Sequence, residues 1–199
     1  MEKAQLGRPR AFDAEEALEK AMVVFWSQGY EGASLADLTE AMGISRKSMY
    51  AAFGNKERLF RKALQCYSEG PGAYVAQALL APTAREVAMA FLTGAVQANT
   101  RPGWPTGCLG VQGALAVGET GQVARDTLRE WRAHGQQLLR DRFQRAVEEG
   151  DLAADADPEW LALYVMTIAN GLAVQASGGA ACDDLQRVAD TVLRNWPPT

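Results

Sequence analysis

Residues 32–62, GASLADLTEAMGISRKSMYAAFGNKERLFRK, read as a helix-turn-helix. Ser34 stands where it can cap a short helix through Leu35, Leu38 and Met42, whose three- and four-residue spacing gives one inward apolar face. Gly43 follows where a sharp turn needs a positive φ, which glycine adopts without steric cost. Ser45 then caps a second short helix, Arg46 to Ala52. Arg46, Lys47, Tyr50 and Ala51 share one arc of it, while Met49, Ala52 and, at the margin, Phe53 point the other way. A basic face bearing an aromatic hydroxyl, opposite a packing face, is the division that a DNA major groove asks of a reading helix. The motif spans about residues 33–52.

The flanks continue in register. Residues 13–28 form a preceding helix, capped by Asp13, with Glu15 and Glu16 at the positive end of its dipole. Its apolar set is Ala17, Leu18, Ala21, Met22, Val24 and Phe25, and Gly29 ends it. Asn55 caps a further helix with Leu59, Phe60, Ala63 and Leu64 on its buried face. Phe25, Gly29, Tyr30, Ser34, Leu38, Met42, Gly43, Ile44, Ser45, Met49, Tyr50, Phe53, Lys56, Glu57 and Leu59 together resemble the tetracycline-repressor (TetR) family of bacterial transcription regulators, over roughly the first third of the chain.

The bulk composition is that of a soluble globular chain, with 48% hydrophobic and 22% charged residues in 199. No uninterrupted apolar run suggests a spanning helix, and the polar, basic start MEKAQLGRPRAF does not read as a secretory signal, so no membrane association and a cytoplasmic address are expected. Cys66, Cys108 and Cys182 are too few and scattered for a disulfide framework. Net charge is −4, but residues 1–66 hold ten Lys/Arg against nine Asp/Glu, so the deficit lies in the remainder. A basic surface on an acidic protein binds phosphates with strong salt dependence while limiting indiscriminate association.

Beyond residue 66 helices alternate with Gly/Pro punctuation. SEGPG (68–72) is a break, Thr83 caps a helix reaching about Asn99, and RPGWPTG (101–107) is a loop. Residues 108–118 read as a short close-packed helix. Residues 121–149 are the longest periodic segment, with Leu128, Trp131, Gly135, Leu138, Leu139, Phe143 and Ala146 inward and Gly150 as the stop. Pro158 opens a helix that is apolar nearly all round, and a final helix carries a stripe from Leu185 to Trp196. The expected fold is all-α, of about nine helices: an N-terminal three-helix DNA-binding head (10–70) and a helical effector-binding and dimerisation body (71–199).

On the reading helix, Arg46 and Lys47 address guanine edges or phosphates, with Ser48 beside them. Ser34 and Ser45 are caps and candidate phosphate contacts. The resemblance assigns Tyr50 to a phosphate, and Lys56 sits at a helix amino end that favours an anion. Arg8 and Arg10 lie on an arm that either enters the adjacent minor groove or stays disordered. The resemblance also implies a homodimer reading a palindromic operator, which places Leu161, Val165, Ile168, Leu172, Leu185, Val188, Val192 and Trp196 at the interface. It implies, too, an effector pocket in the body. Candidate lining residues are Phe91, Gln97, Trp104, Cys108, Gln112, Trp131, His134, Tyr164 and Asn170.

Cys108 offers an alternative: at a helix amino end its thiol would be acidified and could sense electrophiles or oxidants. One histidine and scattered cysteines give no metal-ligand spacing, no cofactor is expected, and no catalytic motif is present. The expected protein is a sequence-specific regulator, a repressor released by a small molecule, rather than an enzyme. A helical interaction protein that binds no DNA leaves the basic arc unexplained.

Overall fold

Side-chain caps open the head helices one after another. In the computed structural model, which describes residues 12–115 and 122–197, helix α1 (Ala14–Gly32) begins under Asp13, whose Oδ1 accepts from the Glu15 amide at 2.9 Å. Gly29, at φ 71°, breaks α1 before its last turn. Helix α2 (Leu35–Met42) starts in a reciprocal box: Asp37 N donates to Ser34 Oγ at 3.1 Å, and Ser34 N to Asp37 Oδ2 at 3.0 Å. Gly43 closes α2 at φ 66°, the left-handed turn expected of it. Helix α3 (Arg46–Phe53) is capped by Ser45 and α4 (Lys56–Glu69) by Asn55, as the residue types predict.

The body adds α5 (Tyr74–Ala78), α6 (Ala84–Asn99), α7 (Leu109–Leu115), α8 (Gln122–Glu148), α9 (Pro158–Ser177) and α10 (Cys182–Arg194). All ten elements among the described residues are helices. The short α5 was not foreseen: five residues behind a Gly/Pro break are too few to show a helical period. Helix α7 lies within the expected 108–118 helix, whose last three residues are outside the described ones. By length and composition α9 is apolar enough to cross a membrane, yet it packs against α6, α8 and α10, as the core helix of a helical body does.

Two cores form. The outer one joins α5, α6, α8, α9 and α10 around Phe91, Leu92, Phe143, Val165 and Leu185. Beside it, Arg142 is buried on α8, and its Nη2 donates to the carbonyls of Ala81 and Pro82, both at 2.8 Å, fixing the α5–α6 turn. The second core starts in the head with Met22, Phe25, Trp26, Leu38, Met49, Phe60 and Tyr67 and continues into the body through Cys108, Leu109, Leu128 and Ala173. The two expected parts thus share one packed interior across residue 70.

The interface residues expected on α9 and α10 divide. Leu161, Val165, Leu172 and Leu185 are buried in the chain's own core, and Trp196 packs on Phe143. Ile168 and Val192 are half-buried, and Val188 is 49% exposed. The outward stripe instead carries Trp160, Leu163 and Val174, each 43–50% exposed. A helix apolar on both sides gives a sequence no means of telling inner face from outer.

Candidate nucleic-acid interface and cavity

Packing of α3 is settled by Met49 in its middle and Phe53 at its end. Met49 is completely buried and Phe53 nearly so, which turns Arg46, Lys47 and Ala51 outward and leaves Tyr50 47% exposed. The basic arc predicted from spacing therefore stands free on the surface. Phe12 packs near Phe53, ring centroids 6.4 Å apart, so the chain enters the head beside the far end of α3. Arg8 and Arg10 lie outside the described residues.

The two roles considered for the serines are compatible. A hydroxyl holds one proton and two lone pairs. Ser34 Oγ accepts from Asp37 N, and Ser45 Oγ accepts from Ser48 N at 3.1 Å, so capping uses a lone pair and not the proton. Ser45 Oγ and Ser48 Oγ lie 3.0 Å apart; that bond takes one of their two protons and leaves the other for an outside acceptor. Lys56 is engaged: its ammonium lies 4.6 Å from the centroid of the Tyr30 ring, and burial pushes its pKa down despite nearby Glu31. Tyr30 is itself packed on Phe25 and Phe60, so this lysine is held in place at the start of α4.

Inside the body a cavity of about 460 Å³ is walled by residues from α4 to α9. Of the predicted lining residues, Phe91, Cys108, Trp131, His134 and Asn170 are there. Trp104 is not: it tilts over Trp26 at 6.0 Å, with the Arg101 guanidinium over its ring. Gln112 is spent on the loop, its Nε2 donating to the Thr106 carbonyl at 2.6 Å. Tyr164 stacks on Trp160 at 5.5 Å, and Gln97 is exposed.

The wall also holds Asn99, Ser68, Tyr74 and Arg132, which the sequence reading missed. Trp131 is fixed in it by an Nε1–H bond to Ser68 Oγ at 2.8 Å. Its ring covers Gly110, where any Cβ would collide with the indole, so only glycine permits this closeness.

Cys108 reverses one expectation. It does precede a helix amino end, and the amides of Gly110 and Val111 favour thiolate, as does Arg132. Burial outweighs them and pushes the thiol pKa up, not down. Tyr67, buried beside it, is pushed well up, first by its own burial and then by the thiol.

Head and cavity are joined by a buried bond. Trp26 Nε1 on α1 donates to the Gly107 carbonyl at 3.0 Å, one residue before Cys108 in the cavity wall. Trp26 also meets Tyr67 edge-on at 4.9 Å, and Tyr67 meets Trp131 at 6.2 Å. An aromatic series thus runs from the first head helix to the wall of the cavity. No group of three or more metal-ligating side chains occurs among the described residues.

Comparison with known proteins agrees with this architecture. Residues 17–63 match the family model for bacterial regulatory proteins of the tetR family, and residues 87–192 match the tetracyclin repressor-like C-terminal domain. The chain is 34% identical over 198 residues to the HTH-type transcriptional repressor ComR of Escherichia coli, covering 98% of this chain and 94% of that protein. Among solved structures, a cysteine-substituted form of the TetR family transcriptional regulator CifR, complexed with 26-base-pair double-strand operator DNA, is 46% identical with a TM-score of 0.90. That match covers 96% of this chain and 100% of that one. A putative TetR regulator from Rhodococcus sp. RHA1 is 42% identical with a TM-score of 0.64, covering 92% of this chain and 98% of that one.

Proposed function

Because this chain belongs to the TetR family of bacterial transcription regulators, we propose that it represses transcription as a homodimer on a palindromic operator and leaves that operator when a small molecule fills its cavity. It is a DNA-binding regulator and not an enzyme. The observation that carries the reading of which face meets DNA is the outward arc of α3, where Arg46, Lys47 and Tyr50 stand exposed over a buried Met49. That the 46% identical CifR is complexed with operator DNA supports DNA binding by this chain.

Arg46 and Lys47 meet base edges or phosphates, Tyr50 and the free hydroxyl protons of Ser34 and the Ser45–Ser48 pair meet phosphates, and Lys56 adds charge at the start of α4. Arg8 and Arg10 add positive charge for the neighbouring minor groove. The exposed stripe of Leu163, Val174 and Val188, with Gly171 allowing close approach, makes an isologous contact between two copies of α9 and α10. Such a dimer presents two α3 helices to half-sites spaced by a helical turn or a multiple of it.

Release requires a ligand that binds one arrangement of the heads better than the other. The Trp26–Gly107 bond supports a direct route, because a shift in the wall at Cys108 pulls on the carbonyl that holds α1. The protein acts where the chromosome is, in the cytoplasm.

Selection of bound sequences from a random duplex library, followed by titration at two salt concentrations, tests the reading. A recovered palindrome with steeply salt-dependent affinity is expected. Weak binding without sequence preference, persisting after unfolding, dialysis and refolding to strip any bound molecule, would overturn it.

A further inference from the structure

Polar and apolar residues both line the cavity. Asn99, the last residue of α6, lies in its wall and is 1% exposed. Its main-chain carbonyl accepts from Gly107 N at 2.8 Å, while its side-chain Oδ1 is buried with no hydrogen-bond partner. A buried acceptor without a donor is a standing cost to the fold, and a donor that reached it from the cavity would remove that cost. Arg132 is also in the lining: its Nη1 donates to the Gly110 carbonyl at 2.7 Å, and its charge bears on Cys108. Phe91 lies eight residues back along α6, roughly 12 Å away at the helical rise. Val75, Leu79, Leu138 and Met166 are further apolar residues of the lining.

Charge narrows the choice of occupant. Among the described residues the lining includes Arg132 and His134 but no carboxylate. An ammonium or guanidinium ligand therefore meets the Arg132 guanidinium and no counter-charge. A carboxylate would suit Arg132 but brings only lone pairs to the Asn99 oxygen. A neutral group that both gives and accepts a hydrogen bond satisfies both ends of the contact.

Resting on the effector reading above, we propose that the ligand class is a neutral amphiphile: an apolar body along α5, α6 and α8, ending in a hydroxyl or carboxamide that donates to Asn99 Oδ1 and accepts from the Arg132 side. Asn99 is then the residue that sets specificity at this site.

Calorimetric titration of the full chain with phenylbutanol, its methyl ether, phenylbutanoate and phenylbutylamine separates the possibilities. The alcohol is expected to bind about tenfold more tightly than each of the others, and Asn99→Leu is expected to bring alcohol and ether within about twofold. Equal binding of alcohol and ether by the unaltered protein, tightest binding by the carboxylate or the amine, or no binding below millimolar concentration would overturn the assignment. The unaltered protein alone decides this, should Asn99→Leu fold poorly. Operator release is followed in parallel. Alcohol binding without release supports the ligand class and removes the effector role, whereas release by the carboxylate does the reverse.

Discussion

Trp26→Phe is the substitution that most sharply tests the join between head and cavity. The indole is 1% exposed, and its N–H meets a carbonyl on Gly107, itself buried. Phenylalanine leaves that carbonyl without its donor inside the protein, at a cost of about 1–3 kcal/mol. The missing part of the ring leaves a void of some tens of Å³, adding roughly 1 kcal/mol at about 24 cal/mol per Å³. The total is about 2–4 kcal/mol. For a chain of this size, roughly 2–4 °C of melting temperature go with each kcal/mol, so a fall of about 10 °C is expected.

Thermal unfolding followed by far-ultraviolet circular dichroism measures it. Trp104→Phe serves as the comparison, since that ring is half-buried and rests on Trp26 from outside, and a loss of about 1 kcal/mol or less is expected there. If both variants melt together, within about 0.5 kcal/mol of the parent, the buried bond contributes little and the proposed route from cavity to α1 fails.

Further outcomes follow from the same geometry. Arg46→Ala and Tyr50→Phe should each weaken operator binding by about 1–3 kcal/mol with melting unchanged, read by fluorescence anisotropy; if Arg46 meets a phosphate the salt slope falls by about one, if it meets a base sequence preference relaxes at one position, and Tyr50→Phe, which removes no charge, leaves the slope as it was. Val188→Glu combined with Leu163→Glu should shift sedimentation from dimer to monomer and abolish tight operator binding, because both side chains lie on the exposed stripe of α9 and α10; an unchanged dimer places the interface elsewhere. Cys108 should be alkylated by iodoacetamide far more slowly than exposed Cys182 at neutral pH, since burial keeps it protonated, and mass mapping that finds Cys108 modified first would restore the acidified-thiol alternative.

The head was legible because its signals are local. Asp13, Ser34, Ser45 and Asn55 each cap the next helix within three residues, and Met49 against Tyr50 decides the faces of α3 by angle alone. The cavity was legible only in part. Phe91, Cys108 and Trp131 were found as aromatic or polar residues in apolar segments, but the same rule picked Trp104 and Gln112, which serve the 101–107 loop. Asn99 escaped because a polar residue at a helix end looks like a terminator. Its meaning comes from Gly107 and Cys108 folding over it, contacts between segments that no periodicity records. The fate of Leu161, Val165 and Leu172 was equally hidden, since only the positions of α6 and α8 decide which apolar side of α9 is covered.

The interior that runs from Met22 and Phe60 through Leu109, Leu128 and Ala173 bears on how such regulators can be recombined. A head cut after residue 70 would carry away half of a jigsaw and leave Trp26 and Tyr67 facing water. Grafting a foreign reading head onto this body therefore means transplanting its matching pieces of α7 and α8 as well, and a chimera spliced at the linker alone should express as an aggregate. Retargeting that rewrites only the outward arc of α3 leaves the shared interior intact. On the proposed reading, changes of operator preference are thus cheapest at Arg46, Lys47 and Ala51.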